Sequence, residues 1–208
     1  AQTAELDPVV VTAERTRQTT FDAPAAITAI TRDVIDSGGF QVNLSEALNR
    51  VPGISVLNRQ NYAQDLQLSI RGFGARSTFG IRGVRLIVDG IPATMPDGQG
   101  QASTIALGSA QRIEVLRGPQ GTLYGKNTIG GAINVISSRP GNDLSGMLRG
   151  TAGSRGRLDV EGKISIPLVK DVLAIKIAAA SKNQDGYVTR PDGTDLGDTN
   201  VRVGRVAL

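Results

Sequence analysis

The chain has 208 residues, 39% of them hydrophobic, 20% charged and only 3% aromatic, with a formal net charge of +4. Histidine and cysteine are both absent, which removes disulfides, thiolate and imidazole metal ligands, and Ser-His or Cys-His catalysis from this chain. Its 23 Lys and Arg are scattered and not interleaved with aromatics, which argues against nucleic-acid binding. No apolar run approaches the roughly 18 residues of a membrane helix, although membrane-crossing strands stay open.

Residues 1–20 are polar except for "DPVVVTAERT", Asp7 to Thr16. "AQTAELD" resembles a mature start left after signal cleavage. The β-branched run Val9-Val10-Val11-Thr12 favours extended backbone. So close to an end, such a strand is either an edge of the fold or waits unpaired for a partner. "PAAITAITRDVI" starts as a strand from Pro24 and continues into a helical turn. "NLSEALNRVPG" predicts the clearest helix, with Asn43 as N-cap and Glu46 three residues on. Its apolar stripe is Leu44, Ala47, Leu48 and Val51, and Pro52-Gly53 stop it.

Strands are expected at 54–58, 66–72 and 84–92, the last carrying an Asp89-Gly90 turn, and at 112–119 and 130–138. Residues 103–110 predict a short helix or turn. The expected domain is a β-rich α+β unit over 21–142, a mixed sheet with short helices. From 143 to 208 the pattern changes to alternation. Leu158, Val160, Ile164 and Ile166 are set against Asp159, Glu161 and Lys163. Three or four antiparallel strands follow, of the length that crosses a membrane. A charged face toward a wet lumen and an apolar face toward lipid fit this pattern, and so does a soluble half-buried hairpin. So few strands cannot close a barrel, so the chain reads as a fragment.

Several motifs fail on inspection. "GPQGTLYGKNT" has Gln120 where a phosphate loop needs Gly and Asn127 where it needs Ser or Thr, so its glycines predict turns and packing. "GFGARS" has Ser77 in place of the third Gly of a dinucleotide fingerprint. The acids Asp185, Asp192, Asp195 and Asp198 lack EF-hand spacing and read as a solvated loop. Arg71 and Arg117 each precede Gly at the end of an apolar strand. They are either solvated strand ends or interface charges that need carboxylates, with Glu114 as a local candidate.

The motifs together resemble the amino-terminal plug of TonB-dependent outer-membrane receptors. "DPVVVTAERT" resembles the TonB box, "LSEALNRVPGISV" the first plug helix and strand, and "LSIRGFG" and "VRLIVDGIP" the central strands. "IEVLRGPQGTLYGKNTIGGAINVIS" follows the family pattern almost throughout. The likeness covers about residues 7–140. The stretch from Asn58 to Gln101 resembles iron-complex, or siderophore, receptors in particular.

This resemblance implies an α+β plug followed by the first strands of a transmembrane β-barrel, in the outer membrane of a Gram-negative bacterium with a periplasmic N-terminus. It implies TonB pairing by β-strand addition at Asp7, Pro8, Val9, Val10, Val11, Thr12 and Ala13. It places Arg71 and Arg117 in a plug–barrel lock, with Glu114 beside them. Loops 58–65, 76–80 and 94–101 would face the ligand, a ferric siderophore or similar chelate. They offer Arg59, Gln60, Tyr62, Arg76, Ser77, Phe79, Met95, Asp97, Gln99 and Gln101. Partners are then TonB, outer-membrane lipid and that small molecule, with no cofactor, resident metal or catalysis expected. Two other classes compete. One is a soluble plug-like binding or signalling module. The other is a hydrolase using Asp89 or Asp97, for which no partner base is visible.

Overall fold

The computed structural model describes residues 10–11, 18–19, 25–38, 41–58, 65–77, 80–102, 105 and 107–208. The chain folds as two units, 1–137 and 138–208.

The first unit is built on a five-stranded mixed sheet. Its elements begin with β1 (Val10–Val11) and β2 (Gln18–Thr19), then β3 (Ala26–Thr31), α1 (Arg32–Asp36) and α2 (Ser45–Leu48). There follow β4 (Ile54–Leu57), β5 (Gln67–Ile70), β6 (Val84–Val88), β7 (Ile91–Pro92), β8 (Ala110–Arg117), α3 (Gly121–Tyr124) and β9 (Gly131–Ser137). The sheet order is β3-β8-β9-β6-β7, with β6 and β9 parallel and the other pairs antiparallel. β4 and β5 form a separate hairpin. The β1 segment is not left unpaired: Val10 and Val11 lie opposite Thr19 and Gln18 in a two-residue antiparallel ladder.

Helix α2 follows its sequence signature with a shifted boundary. Leu44 takes the N-cap position and Asn43 sits one residue before it. The capping chemistry is nevertheless present. The Glu46 carboxylate accepts from the backbone N–H groups of Gln41, Val42 and Asn43 at 2.7, 3.1 and 3.0 Å, and Asn43 Oδ1 accepts from Ser45 N. One carboxylate thereby satisfies three donors ahead of a helix only four residues long. All four stripe residues, Leu44, Ala47, Leu48 and Val51, are buried in the core with Leu68, Ile70, Leu86, Ile113 and Ile133. Leu48→Ala should cost about 2–5 kcal/mol by leaving a cavity in this close-packed centre. Loss of amide-exchange protection in β5 and β8 of the purified protein measures it.

Arg32 fixes α1 against the far side of the chain. Its guanidinium donates to the carbonyls of Leu107, Gly108 and Ala110 at 3.1, 3.0 and 2.9 Å and pairs with Asp36. The Asp89-Gly90 turn joins β6 to β7 with φ of 51° and 84°, the positive pair of a type I′ two-residue hairpin.

The second unit is a four-stranded antiparallel sheet in sequential order: β10 (Ser145–Ala152), β11 (Leu158–Val169), β12 (Leu173–Gln184) and β15 (Thr199–Ala207). A small hairpin, β13 (Val188–Thr189) with β14 (Asp195–Leu196), sits in the loop between β12 and β15. In that loop the Thr194 hydroxyl and amide hold the Asp192 carboxyl below its usual value. At 12 residues, β11 and β12 extend about 40 Å, enough to cross a hydrocarbon core of about 30 Å when tilted.

The sheet's polarity separates the two readings of its alternation. Register places Leu148, Leu158, Val160, Ile164, Ile177 and Val206 on one face, and all are exposed, from 41% for Ile164 to 81% for Leu148. The opposite face carries Asp159, Glu161, Ser165, Lys182 and Thr199, each no more than 9% exposed. Arg157 donates to Asp159 at 2.9 and 2.7 Å, and Arg149 pairs with Glu161 at 3.5 Å. A half-buried sheet in water hides its apolar face, because each large aliphatic side chain left exposed forfeits about 1.5–3 kcal/mol. Here charges are inside and aliphatics outside, the pattern of a strand that meets lipid. The soluble-hairpin reading fails on this observation.

Candidate functional site

Two of the expected ligand-facing loops converge among the described residues. Gly72–Ser77 with Arg82 and Gly83 lines an open cleft of about 460 Å³. Ser77, 9% exposed, donates its hydroxyl to the Gly80 carbonyl at 2.9 Å. Ile81 and Gly100 exchange backbone hydrogen bonds at 2.9 and 2.8 Å, which clamps the second loop to the third. A Cβ on Gly80 would lie 2.8 Å from the Gly100 carbonyl oxygen, a backbone atom, and the residue has φ +62°, so this crossing calls for glycine. Arg82 reaches across it to Asp97 at 3.7 Å, both side chains half-exposed. Asp97 also accepts from the Gln99 amide at 3.0 Å, and the Met95 amide donates to the Gln99 carbonyl at 2.8 Å.

Arg76, Ser77, Asp97 and Gln99 therefore belong to one assembly of crossing loops. Met95 is exposed beside them and Gln101 is half-buried. Arg82 joins the assembly without a sequence signal, because only folding of the two loops brings it to Asp97. Arg59, Gln60, Tyr62 and Phe79 lie outside the described residues, as do Asp7, Pro8, Val9, Thr12 and Ala13. Among the described residues the cleft lining carries two guanidinium groups, Arg76 and Arg82, and no carboxylate, while Asp97 pairs with Arg82 beside it. An exposed pair at 3.7 Å is worth only about 0–1 kcal/mol, so Arg82 can exchange Asp97 for another anion at little cost.

The third loop is also strapped from below. Lys126 donates to the Pro96 carbonyl at 3.2 Å, while Arg85 donates to the carbonyls of Tyr124 and Lys126 at 2.6 and 3.3 Å. These contacts hold α3, a helical turn that the glycine-rich sequence did not announce.

Arg71 and Arg117 meet at the Pro52-Gly53 turn. The Arg71 amide donates to the Gly53 carbonyl at 2.8 Å, and Arg117 donates to the Pro52 carbonyl at 3.0 Å and to Thr28 Oγ1 at 3.1 Å. Arg117 Nε is buried without a hydrogen-bond partner, and neither arginine makes a salt bridge among the described residues. Glu114 does not serve them. It lies on the opposite face of β8 from Arg117, fully buried, and accepts from Arg112 at 2.8 Å and from Asn134 at 3.4 Å. Period-two alternation separates positions 114 and 117 and unites 112 with 114.

The hydrolase reading finds no support in the geometry of its acids. Asp89 Oδ1 accepts from the Ser137 amide at 2.7 Å, so Asp89 braces a hairpin, and Asp97 is engaged by Arg82 and Gln99.

Comparison with known proteins decides the family. Residues 19–132 match the family model described as the TonB-dependent Receptor Plug Domain. The chain belongs to the TonB-dependent outer-membrane receptors. It is 32% identical over 215 residues to the pesticin receptor of Yersinia pestis, covering all of this chain and 31% of that protein. It is 31% identical over 202 residues to the vitamin B12 transporter of Photobacterium profundum, covering 96% of this chain and 32% of that one. Among solved structures it resembles the ferric yersiniabactin uptake receptor of Yersinia pestis, with a TM-score of 0.69, 30% identity, 88% of this chain and 28% of that one covered. The chain thus spans about a third of the length of the curated receptors it matches. Plug fold, following barrel strands and outer-membrane location stand together.

Proposed function

We propose that this chain is the plug and first barrel strands of a TonB-coupled importer for an anionic metal chelate, with a ferric siderophore as the first candidate. The observation that supports it most is the inverted polarity of the 138–208 sheet, joined in one chain to a plug with an arginine-bearing cleft. Ligand arriving from outside meets Arg76 and Arg82, which displace the weak Asp97 pairing in favour of its own oxyanions. The segment Asp7–Ala13, on the periplasmic side, pairs with a TonB strand, main-chain hydrogen bonds supplying the affinity. Force along that strand then remodels the plug. No covalent chemistry takes part.

The relatives suggest the probe, because one is named for ferric yersiniabactin uptake. Cells carrying the full-length receptor should accumulate radio-iron supplied as ferric yersiniabactin or another ferric siderophore, and lose that accumulation when TonB is deleted. Accumulation that persists without TonB contradicts the coupling. A plug-only function predicts instead a full-length protein that stays soluble without detergent, which the lipid-type face of β10–β12 argues against.

A further inference from the structure

We propose that the outward face of the barrel sheet carries a site for a phosphorylated sugar headgroup of the outer leaflet, centred on Arg202. The site lies where β12 and β15 approach the loop between them. Register sets Ser181 beside Arg202 and Asn183 beside Asn200, with Val160 and Leu158 of β11 completing the two rows. These positions share the face of Ile164, Ile177 and Val206. The polar patch therefore stands at the end of an exposed aliphatic wall.

Two independent observations point to a ligand. Arg202 is exposed and makes no ion pair or side-chain hydrogen bond among the described residues. A cation on the lipid side of a barrel is strongly destabilising at the midplane and close to neutral at the interface, where an anion can meet it. On the neighbouring strand, Asn183 Oδ1 is buried without a hydrogen-bond partner, an acceptor lacking its donor. The ligand must accept from a guanidinium and donate to an amide oxygen. Phosphate oxygens do the first, bidentate to the arginine fork, and sugar hydroxyls do the second. A choline headgroup offers no donor to Asn183, and a headgroup without phosphate leaves Arg202 unmet.

The height on the wall agrees. Only residues 170–172 join β11 to β12, whereas 185–198 join β12 to β15. Outer-membrane barrels turn tightly in the periplasm and carry longer loops outside, which places Arg202 in the outer half. Outward residues of β12 run Leu173, Ile175, Ile177 and Ala179 before Ser181. Leu173 to Ser181 spans about 26 Å of strand, or about 20 Å of depth at the usual tilt. The apolar band of such a wall is about 25 Å tall, so Ser181 and Arg202 sit at its upper margin. Beyond the patch, Asp185 and Asp198 are both exposed and confine an anion to the level of Arg202. Tyr187 follows, exposed, an aromatic of the kind that gathers at this interface.

The test uses full-length receptor in phosphatidylcholine nanodiscs containing lipid A, an acylated glucosamine disaccharide bearing phosphate. Leu158→p-benzoylphenylalanine puts a photoprobe beside Asn183 and leaves all the polar residues in place. Light should join lipid A to this position, and Arg202→Gln should lower the yield by about tenfold or more. Asn183→Leu should lower it by about three- to tenfold, and Arg202→Lys should retain part of it. Dephosphorylated lipid A should give the parent no more than the Arg202→Gln yield. Equal yields from parent and Arg202→Gln, as an acid from another strand paired with Arg202 would give, overturn the site. Equal yields from the two lipids do the same, and full competition by soluble glucosamine 1-phosphate overturns the lipid as its occupant. Val206→p-benzoylphenylalanine, lower on the same face, tests the wall itself. Lipid capture there that ignores Arg202→Gln supports the wall, whereas no capture removes the wall and the site together.

Discussion

Gly131→Ala should unfold the centre of the plug sheet. Gly131 opens β9 with φ +139°, and an added Cβ would sit 2.0 Å from the Leu116 carbonyl oxygen and 3.4 Å from the Arg117 Cα. These are backbone atoms of β8, directly opposite in the ladder, so no side chain can rotate aside. Relief requires β8 and β9 to separate where Arg117 pairs with Gly131 and where β6 joins through Val84. The expected penalty exceeds about 4 kcal/mol, combining a backbone conformation that L-residues avoid with a clash in a close-packed sheet. Amide exchange in the full-length receptor should show protection lost over residues 110–117 and 131–137. Gly108→Ala is the control, because nothing lies within 4 Å of its added Cβ. Parent-like protection in Gly131→Ala would mean that the two strands do not approach as described.

Local periodicity made much of this architecture legible. The stripe Leu44, Ala47, Leu48 and Val51 is a helical-face pattern, and all four are buried. Asp89-Gly90 announced its hairpin because few dipeptides tolerate two positive φ angles. What escaped depends on distance along the chain. The helical turn at Gly121–Tyr124 has no capping side chain and is held by Arg85, 39 residues earlier. Arg82 meets Asp97 only after two loops have crossed at Gly80 and Gln99. The β10–β15 alternation showed two faces but not which one is buried, since a period of two is symmetric under exchange of inside and outside. Glu114 is a different case. Alternation alone pairs it with Arg112 and separates it from Arg117, a rule available from the sequence.

Arg71 and Arg117 carry the second large expectation, and its magnitude distinguishes two accounts of them. In the described residues Arg117 spends two donors on the Pro52 carbonyl and Thr28 Oγ1 and leaves Nε buried and unsatisfied. A guanidinium brings five donors and a permanent charge, so partial burial without a carboxylate is costly. If a carboxylate elsewhere in the full-length receptor completes the site, replacing both arginines with Ala strands that carboxylate and should cost about 3–5 kcal/mol. If nothing completes it, the double variant forfeits only the Pro52 and Thr28 hydrogen bonds, about 1–3 kcal/mol, and regains part of that by removing a poorly satisfied charge. The readout is plug release under increasing urea, with the barrel intact, followed by amide exchange over β4 and β8. A shift toward the larger figure, growing with loss of the charge and not with loss of side-chain volume, supports a lock between plug and wall. Arg71→Met/Arg117→Met keeps most of the side-chain length without the charge, and should fall with the alanine variant. Retention of parent stability by the methionine pair would reduce these arginines to packing residues beside the Pro52-Gly53 turn.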